Sequence, residues 1–274
     1  MEIRVAIGQM DIALGDPEAN LRTVQGLAAQ AAEQHADLLV LPELWGSGYD
    51  LERASELADE LNTGLFSAVA SLARHHQLAI CGSLLEWDVE TERAYNTATL
   101  YDADGSLRGS YRKIHLIGLM DEDRYLGAGD AAPTFETPWG LGALSICYDL
   151  RFPELFRRFA LDGAGLILMP AEWPVQRIEH WRTLLKARAI ENQCFVVACN
   201  RVGADRANTF GGRSTAIDPR GNVLVEAGDS PELLFATLNL DLLSEVRDFL
   251  PVFRDRRPEV YALDHEPLLR QEGM

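Results

Sequence analysis

Short apolar runs alternate along the chain with longer stretches whose apolar positions recur every three or four residues. Runs of strand length lie at 3–10, 36–43, 78–85, 95–102, 142–149, 164–171, 194–201, 212–219 and 233–240. Several, such as LLVL and LILM, are apolar throughout, as expected for strands covered on both faces. Helical spacing predicts helices over 17–35, 63–76, 152–162 and 178–192, the first with Asp16 as N-cap and Pro17 in the first turn. DADG at 102–105 and DPRG at 218–221 read as hairpin connections. The pattern is α/β with mixed sheets, layered into one domain over 1–250. From 251 to 274 the chain has internal prolines and little periodicity, and is expected to pack on the domain or on a partner subunit.

Composition narrows the partners. The 274 residues carry a formal charge of −17, which repels phosphate backbones and argues against nucleic acid. An anion site would have to be built locally from a few basic groups. No apolar stretch approaches the roughly 20 residues of a membrane span, and the N-terminus has the pattern of a strand rather than of a secretory leader. Cys81, Cys147, Cys194 and Cys199 form no C-x-x-C, and three of them sit inside apolar runs. That is the profile of reduced thiols in a cytoplasmic protein. No clustered metal ligands and no glycine-rich phosphate loop are present in the sequence, so no cofactor is expected.

Three places put polar chemistry at the end of an apolar run, where α/β proteins gather their sites. LLVLPELW runs into Glu43, an acid that is costly at a strand end unless paired or used. A helix cap or a solvated loop acid is the structural alternative. SYRKIHL alternates like a strand, which places Lys113 and His115 on one face; both can equally reach solvent at a sheet edge. In ALSICYDLRFPELFR, Cys147 lies at a strand–turn–helix bend. Such a bend aims following N–H groups at an oxyanion and lowers a thiol's pKa, although most buried cysteines are inert.

Together, LPELW, YRKIHL and CYDLRFPE resemble, in order, the signature of the carbon–nitrogen hydrolase (nitrilase) superfamily. The resemblance implies a four-layer αββα sandwich and a Glu43–Lys113–Cys147 triad. It also implies an auxiliary Glu122 in DEDRYLGAGD, and a family habit of assembling as homodimers or larger homo-oligomers. In such a site Glu43 shuttles the proton, and Lys113 with the Tyr148 N–H holds the oxyanion. His115 is the competing base on a Cys–His reading.

KIHLIGLMDEDRYLGAGD, LMPAEWP and HWRTLLKARAIENQ are similar to bacterial ω-amidase-like members. This implies a small amide substrate, an ω-amide of an α-keto dicarboxylic acid of the 2-oxoglutaramate type. N-carbamoyl or nitrile hydrolysis is the alternative within the superfamily, and a non-catalytic binding protein the alternative outside it. Glu172 and Trp173 are expected to shape the pocket, and Trp45 and Tyr49 to form an apolar wall. Arg151 or Arg177 is a candidate for a substrate carboxylate, with a structural ion pair as the other reading of Arg151.

Overall fold

A computed structural model describes residues 1–261. These residues hold fifteen strands, in chain order β1 Glu2–Gln9, β2 Leu38–Val40, β3 Ala79–Asp88, β4 Arg93–Tyr101, β5 Leu107–Arg112, β6 Leu126–Gly127, β7 Thr134–Thr137, β8 Gly140–Leu144, β9 Leu166–Ala171, β10 Phe195–Asn200, β11 Val202–Ala204, β12 Thr209–Gly211, β13 Thr215–Ile217, β14 Val223–Glu226 and β15 Glu232–Asn239. The helices are α1 Pro17–Glu33, α2 Ala54–Leu57, α3 Gly64–His76, α4 Glu122–Tyr125, α5 Pro153–Leu161, α6 Ile178–Asn192 and α7 Leu242–Phe249.

Two sheets carry the fold. The first has the order β15-β1-β2-β3-β4-β5, with β6 paired to β4; the second has the order β14-β13-β10-β9-β8-β7. β1, β2 and β3 are mutually parallel, as are β8, β9 and β10. Alternation along the strands decides the layers. Ile3, Val5, Ile7, Leu38 and Val40 join Ile167, Met169 and Val196 in a core between the sheets, which continues to Phe156, Trp181 and Leu185 on α5 and α6. Ala6, Leu39 and Leu41 point the other way, onto Val24 and Ala28 of α1 and Phe66 and Val69 of α3. The result is the expected αββα sandwich.

The local signals act as the sequence implies. The Asp16 side chain accepts from the Ala19 N–H at 3.0 Å, capping α1 behind Pro17. Residues 102–106 and 218–222 close the β4–β5 and β13–β14 hairpins. The strand expected over 111–116 ends at Arg112 instead, so Lys113 and His115 share no strand face. β6, β7, β11, β12 and β14 and helices α2, α4 and α7 have no counterpart among the predicted elements. Beyond α7, Phe253 lies under the guanidiniums of Arg157 and Arg247. The rest of the expected tail, 262–274, falls outside the described residues. Among the described residues no helix is long and apolar enough to cross a membrane.

Phe159 of α5 is fully buried, with edge contacts to Tyr111 of β5 and Phe156. Phe159→Ala is expected to cost about 3–5 kcal/mol through lost burial and a residual cavity. Urea denaturation checks this; a loss under about 1 kcal/mol contradicts such a tightly packed site.

Candidate active site

The site forms where the C-terminal ends of β2, β8 and β9 meet across the two sheets. After β2 the chain reaches Glu43 and turns sharply at Leu44, whose φ is 41°. Ser83 of β3 holds that turn, its Oγ accepting from the Leu44 N–H at 2.9 Å. Lys113 follows β5, and its N–H donates to the Asn96 carbonyl of β4 at 2.9 Å. Cys147 follows β8 with φ 44°, a left-handed conformation that costs a non-glycine residue about 1–3 kcal/mol. The chain then enters a short helical turn over 147–151 that leads into α5.

Asp149 offsets the strain of this bend by tying it to the lysine segment. Its Oδ2 accepts from the Ile146 N–H at 2.9 Å and from the Tyr111 hydroxyl at 2.7 Å. Its Oδ1 accepts from the His115 N–H at 3.2 Å and lies 2.7 Å from His115 Nδ1. The His115 ring is stacked on Phe152 with centroids 3.6 Å apart. His115 therefore braces the elbow, and the competing Cys–His pairing has no support in this geometry.

Glu43, Lys113 and Glu122 are all fully buried. Lys113 Nζ donates to Glu43 Oε1 at 2.8 Å and to Glu122 Oε1 at 2.7 Å. Glu43 Oε1 also accepts from Asn96 Nδ2 at 2.7 Å, and Oε2 from the Glu172 N–H at 2.9 Å. Glu122 Oε2 accepts from the Ile117 N–H at 2.8 Å. The Tyr49 hydroxyl lies 3.0 Å from Glu43 Oε1 and 2.9 Å from Glu122 Oε1.

Burial alone would push the Lys113 ammonium down, but the carboxylates of Glu122 and Glu43 outweigh it and raise its pKa. Burial raises Glu122, against the pull of Lys113. Burial and then the Glu122 and Glu43 charges raise Tyr49, so its hydroxyl stays a donor. The Cys147 thiol is raised well above its ordinary value by burial and then by Glu43, with Lys113 opposing. This corrects the expectation of a thiol acidified by the following turn. Two nearby carboxylates and the loss of water outweigh one ammonium and a few amides, so the resting group is a thiol.

The other expected residues divide. Trp173 does line the narrow cavity at Cys147, together with Ile117, Tyr148, Arg151 and Arg177. Tyr148 N–H has no acceptor among the described residues. Trp45, expected as a wall, is packed instead among α1 and α3 on the far face of the first sheet. Its side chain follows the turn at Leu44 away from the site. Tyr49 acts through its hydroxyl rather than as an apolar wall. Glu172 is absent from the lining of the cavity at Cys147; it is fully buried and paired with Arg201 at 2.7 Å. Asn96, Asp149 and Arg201 had no place in the sequence reading. A polar residue inside the apolar run YNTATLY, and an arginine directly after CFVVACN, were the available signals. Cys81, Cys194 and Cys199 are free and buried, as expected; burial raises all three thiols, Cys194 to about 12.

The sequence model described as carbon-nitrogen hydrolase matches residues 4–248. The chain belongs to the carbon–nitrogen hydrolase family. Among its relatives within this family is a 2-oxoglutaramate amidase of Bacillus subtilis (strain 168), 41% identical over 261 residues, covering 95% of this chain and all of the relative. The crystal structure of Saccharomyces cerevisiae Nit3, described as a member of branch 10 of the nitrilase superfamily, superposes with TM-score 0.86 at 29% identity, covering 93% of this chain and 97% of that one. A mutant of the amidase from Nesterenkonia sp. AN1 superposes with TM-score 0.83 at 30% identity, over 94% of this chain and 95% of that one. It is described with the acetamide moiety of fluoroacetamide added covalently at its active-site cysteine.

In this carbon–nitrogen hydrolase the Tyr49 hydroxyl bridges the two carboxylates that hold Lys113, 3.0 Å from Glu43 Oε1 and 2.9 Å from Glu122 Oε1. Tyr49→Phe is expected to lower kcat about tenfold with KM little changed. Steady-state kinetics on the folded variant check this; an unchanged kcat contradicts a role for the hydroxyl.

Proposed function

We propose that the protein is a cysteine-dependent ω-amidase acting on ω-amides of α-keto dicarboxylic acids, of the 2-oxoglutaramate type, and releasing ammonia. Cys147 attacks the amide carbonyl while Glu43 takes the thiol proton. Lys113 and the Tyr148 N–H stabilise the tetrahedral oxyanion, where one such donor is worth roughly 3–4 kcal/mol. Glu43 returns the proton to the leaving amine, and ammonia departs. Water, deprotonated by Glu43, then attacks the thioester carbonyl; the C–S bond breaks, the acid leaves, and Glu43 returns the proton to the Cys147 sulfur. Glu122 acts through Lys113, holding its ammonium in place.

The observation that carries the substrate reading is the pair of guanidiniums in the cavity at Cys147. Arg151 stacks over Trp173 at 4.7 Å and Arg177 lines the same wall. Neither has a carboxylate within ion-pair distance among the described residues. In a chain of charge −17 that is a local anion site, suited to the distal carboxylate of a dicarboxylic monoamide. The amidase relative from Bacillus subtilis supports the same substrate class. A cytoplasmic homodimer belongs to this reading as well, and is tested by the mass of the protein in solution.

Ammonia release from a panel of amides tests the proposal. 2-Oxoglutaramate is expected to turn over fastest, and Cys147→Ala to abolish turnover. Arg177→Met is expected to raise KM by roughly 10- to 100-fold, the loss of a charge-assisted bond of about 1.5–3 kcal/mol. Equal rates on amides lacking a carboxylate contradict the substrate class. Carbon dioxide released with ammonia points to an N-carbamoyl substrate instead.

A further inference from the structure

The two oxygens of Glu43 are loaded unequally. Oε1 accepts from Asn96 and Lys113 and lies 3.0 Å from the Tyr49 hydroxyl, whereas among the described residues the hydrogen bond to Oε2 is that of the Glu172 N–H at 2.9 Å. The oxygen with capacity left for a proton is therefore aimed by the peptide of residue 172. That peptide is fixed from both ends. Ala171 accepts from the Arg201 N–H at 3.0 Å, and the Trp173 N–H donates to Asn200 Oδ1 at 2.6 Å. The Glu172 side chain adds the third anchor, Oε2 accepting from Arg201 Nη1 at 2.7 Å. Arg201 in turn donates to the Ile12 carbonyl at 2.8 Å and stacks over Phe210 at 4.4 Å.

Glu172 and Arg201 are both fully buried, and Glu172 Oε1 has no hydrogen-bond partner among the described residues. A buried carboxyl–guanidinium contact is weak evidence for stability, so its place beside Glu43 calls for another role. We propose that the Glu172–Arg201 pair positions Glu43 for proton transfer, and that Glu172 must carry a proton for turnover. This rests on the reading of Glu43 as the base. Glu172 is a positioning residue, since it acts through Glu43.

The surroundings favour that proton. Arg201 faces one oxygen of Glu172, with Glu43, Asp205 and Tyr49 around it and Asp11 beyond Arg201 at 3.4 Å. Burial pushes Glu172 up to about 8; Arg201 opposes, and Glu43 and Asp205 add to the rise. A proton on Oε1 displaces no existing hydrogen bond. Its loss adds a negative charge next to a site that must build a thiolate and an oxyanion. Activity therefore falls as the pH rises through that range.

Two variants and one spectrum test this. Glu172→Gln mimics the protonated acid, and the alkaline limb of kcat is expected to move up by about one pH unit or more. Glu172→Ala removes the anchor and is expected to cut kcat roughly tenfold or more, with little change in KM. Infrared difference spectra between about pH 7 and about pH 9 are expected to show a protonated-carboxyl band that Glu172→Gln lacks, with no turnover required. An alkaline limb unmoved in Glu172→Gln overturns the proposal, as does a spectrum identical to that of the wild type. A Cys147→Ala variant that still hydrolyses amides, with the band present as expected, places the failure in the catalytic reading instead.

Discussion

An ammonium taken wholly out of water and held between two carboxylates is the interaction on which the rest of the site depends. Lys113 Nζ lies 2.8 Å from Glu43 and 2.7 Å from Glu122, with all three side chains fully buried. Desolvating three charges is costly, and removing any one leaves the others uncompensated, at about 3–5 kcal/mol. That cost explains the donors packed around the cluster. The Ile117 N–H and the Glu172 N–H satisfy the two carboxylate oxygens that Lys113 does not reach, and Asn96 and Tyr49 add to the two that it does.

Backbone strain does the placing. Glu43 and Cys147 come from different sheets, and at each the chain must leave its strand abruptly to meet the other. Leu44 and Cys147 take φ values of 41° and 44°, and each bend is held by a buried polar side chain, Ser83 for one and Asp149 for the other. Asp149 also reaches Tyr111 and His115, which ties the bend at Cys147 to the segment bearing the ammonium. The thiol this creates is neutral at rest and needs a base beside it, which makes the aim of Glu43 a determining quantity.

Much of this was legible in the chain. An acid after LLVLP, a lysine inside the alternating run YRKIHL and a cysteine before YDLRFPE each have a structural alternative; together and in this order they resemble the carbon–nitrogen hydrolase signature. The layers were legible because apolar runs and helical periods alternate. What escaped depends on three-dimensional pairing. Trp45 and Tyr49 both follow Glu43 closely, but the turn at Leu44 sends one indole into the helix layer and one phenol into the charge cluster, which no spacing rule reveals. Glu172 reads as a pocket residue because its segment follows the buried strand at 164–171, and only its pairing with Arg201 turns it inward. Short strands such as β11 and β12 lack enough residues to carry a period. The thiol's pKa was misjudged because nearby carboxylates cannot be counted from a turn alone.

The charge cluster can be observed directly, because Lys113 and the solvent-exposed Lys186 are the two lysines of the sequence. Nuclear magnetic resonance of protein labelled at the lysine side-chain nitrogen gives one signal for the buried group and one internal reference. The Lys113 signal should keep the ammonium shift to the alkaline limit of the folded state, and should be perturbed by Glu122→Gln. A Lys113 signal at the neutral-amine position at about pH 7 contradicts the account, because the carboxylates would then face no cation and the oxyanion no charge.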